Sequence, residues 1–447
     1  MIGQDRSLEV LESVLKLTSA DQAEVRLQRE NLNMTRFANS SIHQNLAKEN
    51  TTVSVRLVFG KKIGTATVNS VNPDDLKVVV ETAERFARLQ EDDPDFVTLS
   101  GPSAYICIPT YYAETGECTP DFRAAAVDRI ARCAAKSSYK AFGAYSTETS
   151  ELAVANSLGV RAYNVSTSAY LRTVIMSSTD TATGYADQLG RNIAEINPQA
   201  VGEEAVARCS LSHGARDLPT GEYEVVLTPY AVSDMVRFLG YLGFSAMSLQ
   251  EGRSFMAGKL GQQIIGSNIS IWDDAMDPHT LNMPFDIEGA AKRRVRLIEN
   301  GIATGAVYDS YTAHKGGITT TGHSHPRIRG GMPTNMVMAP GDSSLEEMIQ
   351  NTKRGIYITR FHYTHCPEPV QVIMTGTTRD GTYYIEDGEI KYPVKNLRLT
   401  DSVLRVFSHV SLISREQKLQ RDWWNTFTSL LPALKAEKCN FTGVTTF

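Results

Sequence analysis

The sequence predicts an α+β protein of two domains: a mixed helix and sheet N-terminal domain and a mainly antiparallel β C-terminal domain with a few helices. Three observations carry this. Helical and strand periodicities occur in both halves without regular alternation, which argues against a parallel doubly wound sheet. The second half holds Asn300-Gly301 and Asp387-Gly388, each between short apolar runs. Both dipeptides accept the positive φ angles of a type I′ hairpin turn. A polar stretch over 212–221 follows a helical pattern near 199–208 and sets the boundary, giving domains 1–215 and 216–447.

The elements follow in order. Leu8, Leu11 and Leu15 share a helical face, with Val14 beside them. Ala23, Val25 and Leu27 alternate as a strand does, and so do Val53, Val55, Leu57 and Phe59. Gly60-Lys61-Lys62 turns the latter into a hairpin with 63–68. Asn72-Pro73-Asp74-Asp75 starts a helix, with Asn72 as the cap and Leu76, Val79, Val80, Ala83 and Phe86 as its buried stripe. Thr119-Pro120-Asp121 starts another, running to about Ser137. Strand patterns fill 141–190, with a turn at Asn156-Ser157-Leu158-Gly159. Beyond the boundary, Thr228-Pro229 opens a helix carrying Val232, Met235, Val236 and Leu239. A capping box, Ser343 with Glu346, opens one that stops near Gly355. The Asn300-Gly301 hairpin joins 295–298 to 302–307, and the Asp387-Gly388 hairpin joins 383–385 to 390–392.

Composition narrows the function. The 447 residues are 42% hydrophobic and 21% charged, which excludes collagen, coiled coil and wholesale disorder. The net charge is −5, so no basic excess drives generic binding to nucleic acid or acidic lipid. The start, Met1-Ile2-Gly3-Gln4-Asp5-Arg6, has no apolar signal region, and no run of about 18 apolar residues occurs. Six cysteines lie scattered without a CxxC pair. Reduced thiols in a cytoplasmic protein, away from the membrane, are the expectation.

The motifs of phosphate loops and nucleophile elbows are missing. Ser137-Ser138-Tyr139-Lys140 matches SxxK but has no KTG or SDN partner. No His precedes a Glu, so HExxH does not occur. Histidine is the most concentrated chemistry: His323 and His325 in one segment, His362, His365 and Cys366 in another. On a strand, alternate spacing aims His323 and His325 the same way. A metal site requires the two segments to converge with neutral imidazoles and a thiolate. Without convergence these are polar residues bound to backbone or water. The basic run 291–296 reads as a solvated strand face, and Glu91-Asp92-Asp93-Pro94-Asp95 as a solvated linker. Trp423-Trp424 reads as a core or domain-edge contact, with a partner anchor as the other option.

Nine segments in order resemble the TldD/PmbA family, labelled modulators of DNA gyrase. They are Leu297-Ile298-Glu299-Asn300-Gly301, Tyr308-Asp309-Ser310-Tyr311-Thr312-Ala313, Thr321-Gly322-His323, Pro333-Thr334-Asn335, and Pro340-Gly341-Asp342-Ser343-Ser344-Leu345-Glu346-Glu347. Thr378-Arg379-Asp380-Gly381-Thr382, Ile385-Glu386-Asp387-Gly388, Pro393-Val394-Lys395-Asn396 and Pro432-Ala433-Leu434-Lys435 follow. The resemblance covers most of 220–447, and the first half fits the family's N-terminal domain more loosely. It implies a metallopeptidase scaffold. TldD-like members carry HExxxH on the helix after a Val-Val-Leu strand, and a ligand Cys near the C-terminus. Here the strand is Glu224-Val225-Val226-Leu227, and the motif's place holds 234–241, including Arg237, Phe238 and Tyr241. Arg and Phe do not ligate zinc, and no Glu stands there as a base. Cys439 lies beyond the family's ligand position.

The resemblance therefore implies a PmbA/TldE-like subunit, with no catalytic, cofactor or metal residue carried over. The zinc belongs to a TldD-like catalytic partner, and the substrate is a short or unfolded peptide held in a homo- or hetero-oligomer. Two alternatives stand beside it. One is an independent metallopeptidase with a relocated metal site at His323, His325, His362, His365 and Cys366. The other is a non-enzymatic regulator of DNA gyrase.

Overall fold

A computed structural model describes residues 1–422 and 427–445. Helix α1 (Gln4–Leu15) buries Val10, Leu11 and Val14. Strands β1 (Gln22–Ala38), β2 (Ser41–Phe59) and β3 (Lys62–Val68) follow, then α2 (Pro73–Leu89). After the short α3 (Ala113–Gly116), the same order recurs: α4 (Pro120–Ala135), β4 (Lys140–Asn156), β5 (Arg161–Met176), β6 (Thr183–Gly190) and α5 (Pro198–Leu211). The six strands form one antiparallel sheet ordered β3-β2-β1-β4-β5-β6. Helix, three strands, helix thus occurs twice, joined where β1 pairs with β4. This repeat is one of topology, and the sequence showed no sign of it.

Strand side chains alternate, so one face of the sheet takes the helices. Val25, Leu27, Val55, Leu57 and Ala153 pack under α1 and α2. Tyr145, Leu171, Ile175 and Ala186 pack under α4 and α5. Register places both sets on one side, because Val25 opposes Ala155 and Phe37 opposes Gly143. The intervening residues, Glu24, Arg26, Glu30, Leu32 and Met34 among them, point to the other side, toward the second half of the chain.

That second half carries β7 (Gly221–Leu227), α6 (Pro229–Leu242), α7 (Ala246–Gln250), β8 (Ile271–Asp273), β9 (Val295–Glu299), β10 (Ile302–Ala303) and α8 (Ser310–Lys315). Then come β11 (Asn335–Met338), α9 (Leu345–Gln350), β12 (Arg354–Glu368), β13 (Ile373–Glu386), β14 (Glu389–Pro393), β15 (Leu397–Ser402), α10 (Val403–Ser408), β16 (Val410–Arg421) and β17 (Thr428–Val444). They build one 11-stranded sheet in which β17, β15, β13, β12 and β7 close on one another. Pairings are antiparallel except β11 with β17 and β12 with β7. Val232, Met235, Val236 and Leu239 of α6 sit in its main core cluster. The chain is α+β with mostly antiparallel sheets.

Both predicted hairpin turns form. Asn300 and Gly301 have φ 50° and 75°, and Asp387 and Gly388 have 49° and 79°. The strand after Asn300-Gly301 is only two residues long, not 302–307. The capping box is one residue later than expected, Ser344 with Glu347. Asn72 sits at its N-cap without making the cap bond. Phe86 is exposed, and Ala87 takes its place in the buried stripe. The helix packs on β3 through Ala83 and Ala87, which lie against Gly64. Lys292, expected on a solvated face, is buried. The 91–95 segment is tied down: the Tyr311 hydroxyl donates to Asp93 Oδ1 (3.1 Å), and Lys315 pairs with Asp95. Trp423-Trp424 lies outside the described residues.

Candidate functional site

The site is built on α6. Leu227 ends β7, and Pro229 opens the helix, where its missing N–H costs nothing. The Thr228 hydroxyl donates to the Thr359 carbonyl (2.5 Å), which fastens the helix start to β12. With the apolar side of α6 in the core, Tyr230, Ser233, Asp234 and Arg237 form the remaining stripe, at i, i+3, i+4 and i+7. That stripe faces a cavity of about 710 Å³. The first sheet supplies the opposite wall, including Glu30, Leu32, Tyr170, Tyr185 and Asp187, and β12 adds Arg360, His362 and His365.

The wall is densely hydrogen-bonded. Asp187 Oδ2 accepts from the hydroxyls of Tyr185 (2.7 Å) and Tyr170 (3.0 Å). Burial raises the Asp187 pKa, against the opposing pull of Lys418 and the tyrosine bonds. Arg360 Nε donates to Asp380 Oδ2 (2.6 Å), and its guanidinium lies 4.5 Å above the Tyr185 ring. Arg237 donates to Thr364 Oγ1 and stacks 4.6 Å from the Phe238 ring. Asp234 Oδ2 accepts from the Phe361 amide (3.2 Å). Burial pushes the Asp234 carboxyl up to about 6, although Arg237 and Arg360 both oppose the shift.

The last shift has a checkable consequence. A carboxyl whose folded pKa lies above its unfolded value of about 3.9 holds its proton longer in the native state. Its contribution to stability is therefore greatest below about pH 4 and declines as pH rises toward 6. Asp234→Asn removes that decline, so the wild type minus variant difference in melting temperature rises as pH falls from 6.5 to 4.5. A difference that is constant with pH would contradict the shift.

Zinc does not fit this face of α6. The stripe offers one carboxylate, and its nearest charged neighbour is a guanidinium that opposes a dication. Among the described residues, no three His, Cys, Asp or Glu side chains group to hold a metal ion. The five sequence candidates are likewise not brought together in such a group. His323 and His325 lie in a loop, not on a strand, so the alternate-spacing expectation fails. His323 is buried, with Nε2 2.8 Å from Asp273 Oδ1 and Nδ1 3.0 Å from Thr321 Oγ1. Both ring nitrogens are thus engaged. His325 lines a different part of the cleft. His362, His365 and Cys366 follow one another along β12, whose register shifts between His362 and His365 and where Tyr363 takes φ 51°. The Cys366 thiol donates to the Glu368 carbonyl at 3.5 Å.

Sequence reasoning missed Tyr170, Tyr185 and Asp187. Their one available signal was polarity on alternate positions of β6, at Tyr185 and Asp187. Only the strand order sets Tyr170 beside them.

The architecture is that of a two-sheet α+β scaffold whose polar cleft runs past the helix that follows a Val-Val-Leu strand. The chain belongs to the PmbA/TldA metallopeptidase family: the family's C-terminal domain matches residues 220–443, its domain 1 matches 23–87 and its central domain matches 117–210. The chain is 27% identical to a protein named metalloprotease from Methanothermobacter thermautotrophicus, over 53% of this chain and 52% of that one. It is 25% identical to metalloprotease PmbA of Escherichia coli O157:H7, over 52% and 50%. The chain thus spans about half the length of the curated relatives it matches. The fold matches the crystal structure of TldE from Thermococcus kodakarensis with TM-score 0.88 and 24% identity, over 97% of this chain and 99% of that one. Among the described residues no helix is long and apolar enough to cross a membrane.

Proposed function

We propose that this chain is the TldE-like subunit of a cytoplasmic TldD/TldE-type metallopeptidase. It pairs with a zinc-carrying TldD-like chain to cleave short or unfolded peptides, and it has no peptidase activity alone. The observation that carries this reading is the stripe of α6. It faces the cleft of about 710 Å³ with Tyr230, Ser233, Asp234 and Arg237, where hydrolysis needs imidazoles and a general base. Without them there is no Lewis acid to polarise a peptide carbonyl and no activated water.

The test uses protein purified without a His-tag, alone and mixed with a TldD-like chain. We expect no stoichiometric zinc and no chelator-sensitive peptide cleavage from this chain alone. We expect co-elution with the partner and cleavage by the mixture. Stoichiometric zinc with chelator-sensitive cleavage by this chain alone would overturn the reading. The relocated metal site has less support, since both nitrogens of His323 are engaged. The gyrase-regulator reading has less support as well. Net charge is −5, and Lys292 is withdrawn from the one basic run into the interior. Steeply salt-dependent DNA binding is not expected, and a filter-binding titration across salt concentrations checks it.

A further inference from the structure

A second cleft lies between the β1–β2 end of the first sheet and the loops around α8. It has a volume of about 550 Å³ and is separate from the α6 stripe. Its floor is Glu24, which is only 8% exposed and whose Oε2 has no hydrogen-bond partner. The two guanidiniums beside it do not fill that need. Arg56 donates to Glu288 Oε1 (3.3 Å), and Arg26 donates to Ser54 Oγ (3.3 Å). Asp309 is satisfied differently, by the amides of Thr312 (2.8 Å) and Gly330 (2.9 Å).

We propose that this cleft is a binding site for a primary ammonium group, with the Glu24 carboxylate as its anchor. A buried carboxylate oxygen lacking a donor is a rare and costly arrangement that a ligand donor resolves. The sign of the lining selects a cationic donor. Five carboxylates line the cleft, Glu24, Glu91, Asp93, Glu288 and Asp309, against three guanidiniums, Arg26, Arg56 and Arg329. A compact ammonium fits beside the guanidiniums as a point charge with three N–H donors, and each donor-to-carboxylate bond is charge-assisted. A dication is disfavoured, since no three potential ligands group here among the described residues. The carrier we assign is the amino terminus of a short peptide. That assignment rests on the peptide reading above, whereas the ammonium site itself does not.

Isothermal titration of the chain alone, near pH 7.5, tests this with trialanine, N-acetyl-trialanine and butylamine. Trialanine is expected to bind at least about tenfold more tightly than its acetylated form, the loss expected for one charge-assisted bond. Glu24→Gln, nearly isosteric and neutral, is expected to remove that difference. Equal binding of the free and acetylated peptides by the wild type would overturn the proposal without needing any variant. So would no binding by any probe, or a difference that survives Glu24→Gln. Butylamine binding that matches trialanine and is lost in Glu24→Gln would uphold the ammonium site and overturn the peptide carrier. None of these outcomes depends on a zinc-loaded partner, so failure of the subunit reading is read separately, from co-elution.

Discussion

Asp273→Ala lowers the stability of the protein by about 3–5 kcal/mol, the scale seen when one partner of a buried polar or charged pair is removed. Asp273 is buried in β8. Its Oδ1 lies 2.8 Å from His323 Nε2, and its Oδ2 accepts from the Asn335 amide at 2.7 Å. Burial works to raise the Asp273 carboxyl, but His323 and Lys292 hold it below the ordinary carboxylate range. Burial, reinforced by the Lys292 charge, lowers the His323 pKa. The Asp273 carboxylate and the Thr321 carbonyl, 2.9 Å from Nδ1, pull the other way, and Nε2–H donates to Asp273 Oδ1. Alanine leaves two buried N–H groups without an acceptor and removes a counter-charge from the buried Lys292. Urea denaturation at pH 7.5 measures the loss. Asp273→Asn keeps the volume and one acceptor, so it should cost less. A stable Asp273→Ala variant would mean that the loop at 321–325 repacks freely.

Gly64→Val destabilises by about 3 kcal/mol, the upper range of ordinary overpacking, because the obstacle is backbone. A Cβ at Gly64 would lie 2.0 Å from the Ala83 carbonyl oxygen and 2.4 Å from the Ala87 amide nitrogen of α2. The topological repeat has the same contact on its other side, where a Cβ at Gly184 would lie 2.1 Å from the Ala205 carbonyl oxygen. Even Gly64→Ala should destabilise, although glycine inside a strand ordinarily weakens it. Thermal melts of Gly64→Ala, Gly64→Val and Gly184→Ala read this directly. A Gly64→Ala protein as stable as the wild type would show that α2 lifts from β3 at little cost.

The sequence alone determined the periodic elements and the turns. Pro73, Pro120 and Pro229 mark three helix starts because their missing N–H is harmless only there. Asn300-Gly301 and Asp387-Gly388 mark two hairpins because few residues other than glycine and Asn or Asp accept both positive φ angles. The absence of imidazole from 234–241 was legible without any structure. Tertiary structure decided what a local pattern cannot carry. Lys292 lies in a basic run, yet it is buried because β8 brings Asp273 to it and Thr334 accepts from its ammonium. Phe86 fits the helical period, yet it is exposed because α2 turns Ala83 and Ala87, at i and i+4, onto Gly64 and leaves Phe86 beside that contact. His323 and His325 are two residues apart, yet one is a locked interior group and the other lines a cleft, since a loop has no fixed period. Glu24, within an alternating strand, becomes a buried carboxyl only because the second half of the chain closes over the polar face of the sheet. Burial and charge pairing depend on residues tens to hundreds of positions away, and those contacts are set by strand order, which no local spacing encodes.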